Sequence, residues 1–134
     1  MKKSSFQAAS CPCGSGAAYE SCCGRWHAGE RRLLAPDAAA LMRSRYSAFV
    51  RDELDYLLAT WHSSTRPAAL EPNPPGLQWL GLQVRRHEQI DADHAIVEFV
   101  ARSRLNGRAS RLHETSRFVR EDGRWFYIEG DFHD

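Results

Sequence analysis

Ser110-Arg-Leu-His-Glu-Thr-Ser-Arg-Phe-Val-Arg-Glu121, followed by Asp122-Gly123 and Arg124-Trp-Phe-Tyr-Ile-Glu-Gly130, reads as two strands joined by a two-residue turn. β-branched and aromatic residues recur on both sides, and Asp-Gly supplies the backbone geometry of a tight hairpin. The pattern repeats upstream. Asn106-Gly107 is the same signal, and a strand over residues 94–104 precedes it. A turn around Asp91–Asp93 leads back to a strand over residues 78–88, in which Leu80, Leu82 and Val84 alternate. The spacing predicts an antiparallel meander of four strands.

Further upstream the period changes. Residues 63–76 carry four prolines, which forbid a long regular element and leave room for one short helical turn around Ala68–Leu70. Before them, Ala38–Val50 reads as a helix with Asp37 as its N-cap and Met42, Tyr46, Phe49 and Val50 on one stripe. A second helix is expected with Asp52 as its cap, an apolar face of Leu54, Leu57, Leu58 and Trp61, and His62 at its end. Residues 24–36 form a connector that Trp26, Leu33 and Leu34 pin to the main domain. Helices first and a meander afterwards indicate an α+β domain, with helices covering one face of a curved sheet. Residues 33–134 would form that domain, and residues 1–32 a small module in front of it.

The small module holds every cysteine of the chain, in the run Cys11-Pro-Cys13-Gly-Ser-Gly-Ala-Ala-Tyr-Glu-Ser-Cys22-Cys23. Four thiolates make a closed tetrahedral zinc site with a structural role. Pro12 stiffens the first arm, Gly14 and Gly16 let the chain curl around the sulfurs, and Tyr19 covers one side. Cys22 and Cys23 close the site at or just before a short helix. His27 is the alternative ligand, in place of one cysteine. So few residues bury too little to fold alone, so metal binding would supply much of the folding energy.

Composition bounds the rest. Hydrophobic residues make up 43% and charged residues 26% of 134, which is globular rather than disordered. The net charge of +1 does not point to nucleic acid or an anionic membrane, although residues 1–32 carry five Lys/Arg against two Asp/Glu. No apolar run is long enough to span a bilayer, and no apolar core follows Lys2 and Lys3 as in an export signal. A cytoplasmic location is therefore expected, where thiols stay reduced.

Two resemblances sharpen these readings. The run Cys-Pro-Cys-Gly-Ser-Gly…Tyr…Cys-Cys-Gly resembles the SEC-C motif, best known from the tail of the bacterial preprotein translocase motor ATPase, where it binds zinc and contacts an export chaperone. That resemblance implies Cys11, Cys13, Cys22 and Cys23 as the zinc ligands and a protein partner for the knuckle. The chain as a whole resembles the YchJ family, through Leu41-Met-Arg-Ser-Arg-Tyr-Ser-Ala-Phe49, Thr60-Trp-His62, Trp79-Leu-Gly-Leu82 and Gly123-Arg-Trp-Phe-Tyr-Ile-Glu-Gly130. It implies a main domain shaped as the cone of nuclear transport factor 2. Some relatives carry a second, C-terminal cysteine knuckle, whereas this sequence has four cysteines in all.

A cone of this kind often encloses a cavity, and the candidates for it are Arg45, Tyr46, Trp61, His62, Glu98, Glu114, Trp125 and Tyr127. Arg45 lies beside the apolar stripe. It reads first as a core ion pair with Glu98 or Glu114, then as an anion-reading group or an exposed one. His62 reads as a helix cap and loop anchor, or as an acid/base at the pocket mouth. His113 and Glu114 are adjacent on a strand and must face opposite sides; Glu114 shares its side with Leu112, Ser116 and Phe118. Trp125 and Tyr127 share a face, either in the core or on a cavity wall. No catalytic signature is present. The leading reading is a zinc-containing binding or adaptor protein whose cone binds a small ligand or self-associates as a homodimer. The alternatives are an isomerase- or dehydratase-type proton-transfer enzyme, and ribosome or nucleic-acid association through the knuckle.

Overall fold

The computed structural model describes residues 9–133. A 3-10 turn, Tyr19–Ser21, leads to helices α1 (Gly24–His27), α2 (Ala38–Arg51) and α3 (Leu54–Ala59). Strands β1 (Gln78–Asp91), β2 (His94–Leu105), β3 (Arg108–Glu121) and β4 (Arg124–His133) follow. The strands pair antiparallel in the order β1-β2-β3-β4, a meander that does not close into a barrel. Asn106-Gly107 and Asp122-Gly123 turn the last two hairpins with all four residues at positive φ, as tight two-residue turns require. The architecture is the expected α+β one.

The sheet's faces are set by alternation. Ala95, Val97, Phe99 and Ala101 of β2 stand opposite Phe118, Ser116, Glu114 and Leu112 of β3, and this face meets the helices. Glu98 and Val100 alternate with them and stand opposite Thr115 and His113 on the other face. In β1 the expected alternation fails. Register shifts between Trp79 and Gly81, so Leu80 is left exposed while Trp79, Leu82 and Val84 pack on the core. A bulge changes the phase of a strand, and simple period-two counting misses it.

Helix α2 is the element on which the fold is assembled. Asp37 accepts a hydrogen bond from the Ala40 N–H at 2.7 Å, as an N-cap should. Leu41, Met42, Tyr46 and Ala48 are buried, while Phe49 at the end of the stripe stays partly exposed. Asp52 caps the end of α2 rather than the start of the next helix. It takes the left-handed conformation (φ 56°), and its carboxylate accepts the Asn73 N–H at 2.9 Å. That turn separates α3 from α2. α3 ends at Ala59, earlier than the apolar pattern suggests, because Trp61 leaves it to bridge Tyr127 on β4. The His62 N–H donates to the Tyr127 carbonyl at 2.7 Å, and the Tyr127 N–H to the Thr60 carbonyl at 2.8 Å. His62 is thus an edge-pairing residue rather than a helix terminus. The proline-rich segment has no helical turn at Ala68–Leu70.

Candidate functional site

Two sites share α2 as a common wall. On one side the sheet and α2 border a partly open cavity of about 270 Å³, near the lower limit for small-molecule sites. Its walls are largely aromatic, with Tyr46, Trp61, Trp79, Phe118, Tyr127 and Phe132 among them. Two charged side chains line it, Arg45 and Glu114, each 5% exposed.

Arg45 does not pair with a carboxylate. Its Nη1 donates to the Leu57 carbonyl at 2.9 Å and to Thr60 Oγ1 at 2.7 Å. Leu57 lies in the last turn of α3, where carbonyls lack intrahelical partners and carry the negative end of the helix dipole. The guanidinium carbon also sits 5.1 Å from the Trp61 ring and 4.7 Å from the Tyr127 ring. Aromatic faces and a helix terminus replace the expected ion pair. Burial pulls the Arg45 pKa down to about 10.

Glu114 is held from the sheet. Its Oε2 accepts the Ser116 hydroxyl at 2.7 Å and the Tyr127 hydroxyl at 3.0 Å. Space for the carboxyl comes from Gly130, opposite Ser116 on β4, because a Cβ there would collide with the Glu114 side chain. Burial first, and the Glu114 charge second, push the Tyr127 hydroxyl pKa well up, so it remains a donor. Trp61 and Trp79 meet Tyr127 and Tyr46 near-perpendicular, and their buried indole N–H groups have no hydrogen-bond partner among the described residues.

On the other side of α2 lies the cysteine cluster. The four Sγ atoms of Cys11, Cys13, Cys22 and Cys23 all fall within 4.8 Å of one another, and Cys13 and Cys22 are 3.6 Å apart. Sulfurs on a tetrahedral ion at a bond length of about 2.3 Å would be separated by roughly 3.8 Å, so the donor set fits one metal ion. The thiols also share protons. Hydrogen bonds from Cys23 and from Ser15 hold Cys13 down to about 4, whereas the bond to Cys13 together with burial pushes Cys23 far up. Burial raises Cys22. Gly14 and Gly16 take positive φ (85° and 89°), and Tyr19 packs on the cluster.

The cluster is fastened to α2 through Ser47 and Arg43. Cys11 Sγ lies 3.4 Å from Ser47 Oγ, and Arg43 Nη1 donates to the Cys13 carbonyl at 3.2 Å. His27 is a bracket rather than a ligand. Its Nε2–H donates to the Ser44 carbonyl at 2.7 Å, which leaves Nδ1 to accept the Tyr19 hydroxyl at 2.5 Å. Burial lowers the His27 pKa and keeps the ring neutral. Ser44 Oγ donates back to the Leu41 carbonyl, so the Tyr56 hydroxyl donates to Ser44, at 2.7 Å in each case.

Of the sequence candidates, Arg45, Tyr46, Trp61, Glu114 and Tyr127 line the cavity. Trp125 faces inward but lies in the packed core. Glu98 stands on the opposite sheet face, 2.7 Å from His113, because its neighbours Val97 and Phe99 take the inner side. His62 Nε2 lies 2.8 Å from Glu121, and its Nδ1 is 2.7 Å from the Ser64 hydroxyl, away from the cavity. Among the basic residues of the module, Arg25 folds back onto the Cys22 carbonyl and the Trp26 ring, while Lys2 and Lys3 lie outside the described residues. Sequence reasoning missed Ser44, Ser47 and Gly130. Two serines three apart on a buried helix face, and a glycine within a strand, were the available signals. No helix among the described residues is long and apolar enough to cross a membrane.

Helices packed on an open antiparallel sheet around a cavity, with a cysteine knuckle on the outer side of the first long helix, define an NTF2-like protein that carries a SEC-C motif. The family model described as "YchJ, middle NTF2-like domain" matches residues 37–130, and the SEC-C motif matches residues 9–25. The chain belongs to the YchJ (UPF0225) family. A UPF0225 protein of Bordetella pertussis is 63% identical over 98% of both chains. One from Methylibium petroleiphilum is 67% identical over 90% of this chain and 87% of its own. Among solved structures, the solution structure of a SEC-C motif containing protein from Rhodopseudomonas palustris is similar, with a TM-score of 0.76 and 33% identity over 92% of this chain and 98% of that one. A crystal structure of another, from Psychrobacter arcticus, gives 0.74 and 26% identity over 97% of this chain and 85% of that one.

Proposed function

We propose that this protein is a zinc-stabilised binding protein. Residues 1–32 would form a module in which Cys11, Cys13, Cys22 and Cys23 hold a structural Zn²⁺, and residues 33–134 a domain that takes a small, mainly apolar ligand in the cone. The observation that carries the reading is the cavity itself. The cone's interior is hollow and aromatic, with a buried carboxyl on its wall. Four thiolates would leave no open coordination position on the zinc, so its contribution is to fix the knuckle against α2. Residues 14–17 are exposed beside the cysteines and would be the knuckle's surface for a protein partner. Four free thiols suit a reducing compartment, and we take the cytoplasm as the location.

The test has two arms. Protein purified under reducing conditions should contain equimolar zinc and lose it in a Cys22→Ser/Cys23→Ser variant; metal-free wild type that is fully folded would sink the first half. A screen of small aromatic compounds by protein NMR should shift resonances of Tyr127 and Trp61. Shifts confined to the outer sheet face would sink the second.

One observation favours a second reading. Glu114 and Tyr127 are a hydrogen-bonded acid/base pair inside the cavity, the arrangement proton transfer at a ketone would use. Hydrogen–deuterium exchange at the methyl group of acetophenone in D2O should then run faster with wild type than with Glu114→Gln. Equal rates would dismiss it.

A further inference from the structure

We propose that the cavity selects a neutral ring compound carrying an N–H or O–H donor, and that Glu114 Oε1 is the group that reads this donor. The inference rests on the ligand-binding reading above and names the ligand's chemistry.

The two oxygens of Glu114 are not equivalent. Oε2 already accepts hydroxyl hydrogens from Ser116 and Tyr127. Oε1 has no hydrogen-bond partner among the described residues, although the side chain lies on the cavity wall. An acceptor on an aromatic wall loses its water when a ligand fills the cavity, and a ligand that offers no donor in return leaves it unpaired. Sites of this type discriminate strongly against analogues that lack the matching group.

Charge and shape restrict the ligand further. Arg45 and Glu114 bring opposite charges to the same chamber, so its net charge is zero and neither sign of ligand is drawn in by the summed field. The guanidinium already occupies the faces of Trp61 and Tyr127, where an organic cation would otherwise bind. The volume of about 270 Å³ corresponds to roughly nine water volumes, the size of one or two small rings. Flat walls from Tyr46, Trp79 and Phe118 suit a planar ring.

The test uses the full-length, zinc-loaded protein and four probes of similar size. Indole offers an N–H donor and no acceptor; acetophenone offers an acceptor and no donor; benzoate and benzylammonium carry the two charges. Affinities are read by NMR titration. Wild type should bind indole roughly ten-fold or more tighter than acetophenone, and bind both charged probes more weakly than indole. Glu114→Gln should reverse the order of the two neutral probes. The amide oxygen takes over the Ser116 and Tyr127 hydroxyls, so the amide NH2 turns toward the cavity. Tyr127→Phe keeps the carboxyl and should keep the indole preference, which secures the test if the glutamine variant folds poorly. Equal affinities for indole and acetophenone, or a preference that Glu114→Gln leaves unchanged, would overturn the donor rule and leave the cavity as an apolar site. Tighter binding of either charged probe would overturn the neutrality argument. Failure of every probe to bind would overturn both this inference and the ligand-binding reading.

Discussion

Gly130→Ala should destabilise this protein, against the usual sign for glycine in a strand. Gly130 is not among the residues at positive φ, so its backbone is open to alanine. Such a change ordinarily stabilises by about 0.4–1 kcal/mol through the unfolded chain. Here a Cβ would lie 2.7 Å from the Glu114 carboxyl carbon and 2.8 Å from its Cγ, with Oε2 closer still. The neighbour cannot yield cheaply, since Oε2 is fixed by Ser116 at 2.7 Å and Tyr127 at 3.0 Å. Displacing it breaks two hydrogen bonds to a carboxyl group, each worth about 1.5–3 kcal/mol when charged. Partial recovery by water in the cavity and the alanine gain bring the expected net loss to roughly 1–3 kcal/mol. Urea denaturation followed by tryptophan fluorescence, with zinc held constant, measures it. The decisive comparison is a double-mutant cycle with Glu114→Ala. In that background the collision partner is gone, and Gly130→Ala should become neutral or stabilising. A stabilising Gly130→Ala in wild type, or the same penalty in both backgrounds, would refute the claim that Gly130 exists to house Glu114.

Three further outcomes follow from the geometry. Burial depresses the folded-state pKa of His27 below its unfolded value of about 6.5. The unfolded chain therefore binds more protons in that range. The His27 contribution is present above pH 6.5 and is lost as pH falls through the lower folded value. Wild type should lose stability on acidification more steeply than His27→Gln, by at most about 1.4 kcal/mol per pH unit; parallel pH profiles would count against the bracket role. His62→Ala removes a pair with a half-exposed Glu121 and should cost no more than about 1 kcal/mol, with no change in probe binding measured by NMR. Asp37→Ala removes the α2 cap and should lower stability by about 1 kcal/mol in thermal melts, while Asp37→Asn should lose much less.

Where local chemistry decides the outcome, the chain can be read directly. The Asn-Gly and Asp-Gly turns, the Asp37 cap and the grouping of the cysteines need no partner from elsewhere, and each is found as its residues suggest. The neighbours of Glu114 were also legible, since strand alternation ties it to Ser116 and Phe118, but which face of the sheet meets the helices was not. Failures arise where a distant contact overrides the local preference. Trp61 and His62 continue a helical pattern, but β4 offers their backbone a pairing edge and takes them. Leu80 fits an alternating strand until the bulge beside Gly81 turns it outward. Arg45 called for a carboxylate by ordinary charge reasoning. The end of α3 and two aromatic faces served instead, and nothing in the linear order of residues places them together. Gly130 carried no chemistry of its own, and its value lies wholly in the side chain across the strand.

Helix α2 presents Ser44 and Ser47 to the knuckle and, on the adjoining face, Arg45 and Tyr46 to the cavity. Shortened versions that begin after the connector would strip the Ser44 carbonyl of its imidazole donor and uncover Ser47, which is fully buried in the intact chain. Such fragments are poor stand-ins for ligand screening. Under the function proposed above, compounds for the cone should be sought with the knuckle attached and metal-replete, and a change of metal content would be a change of receptor.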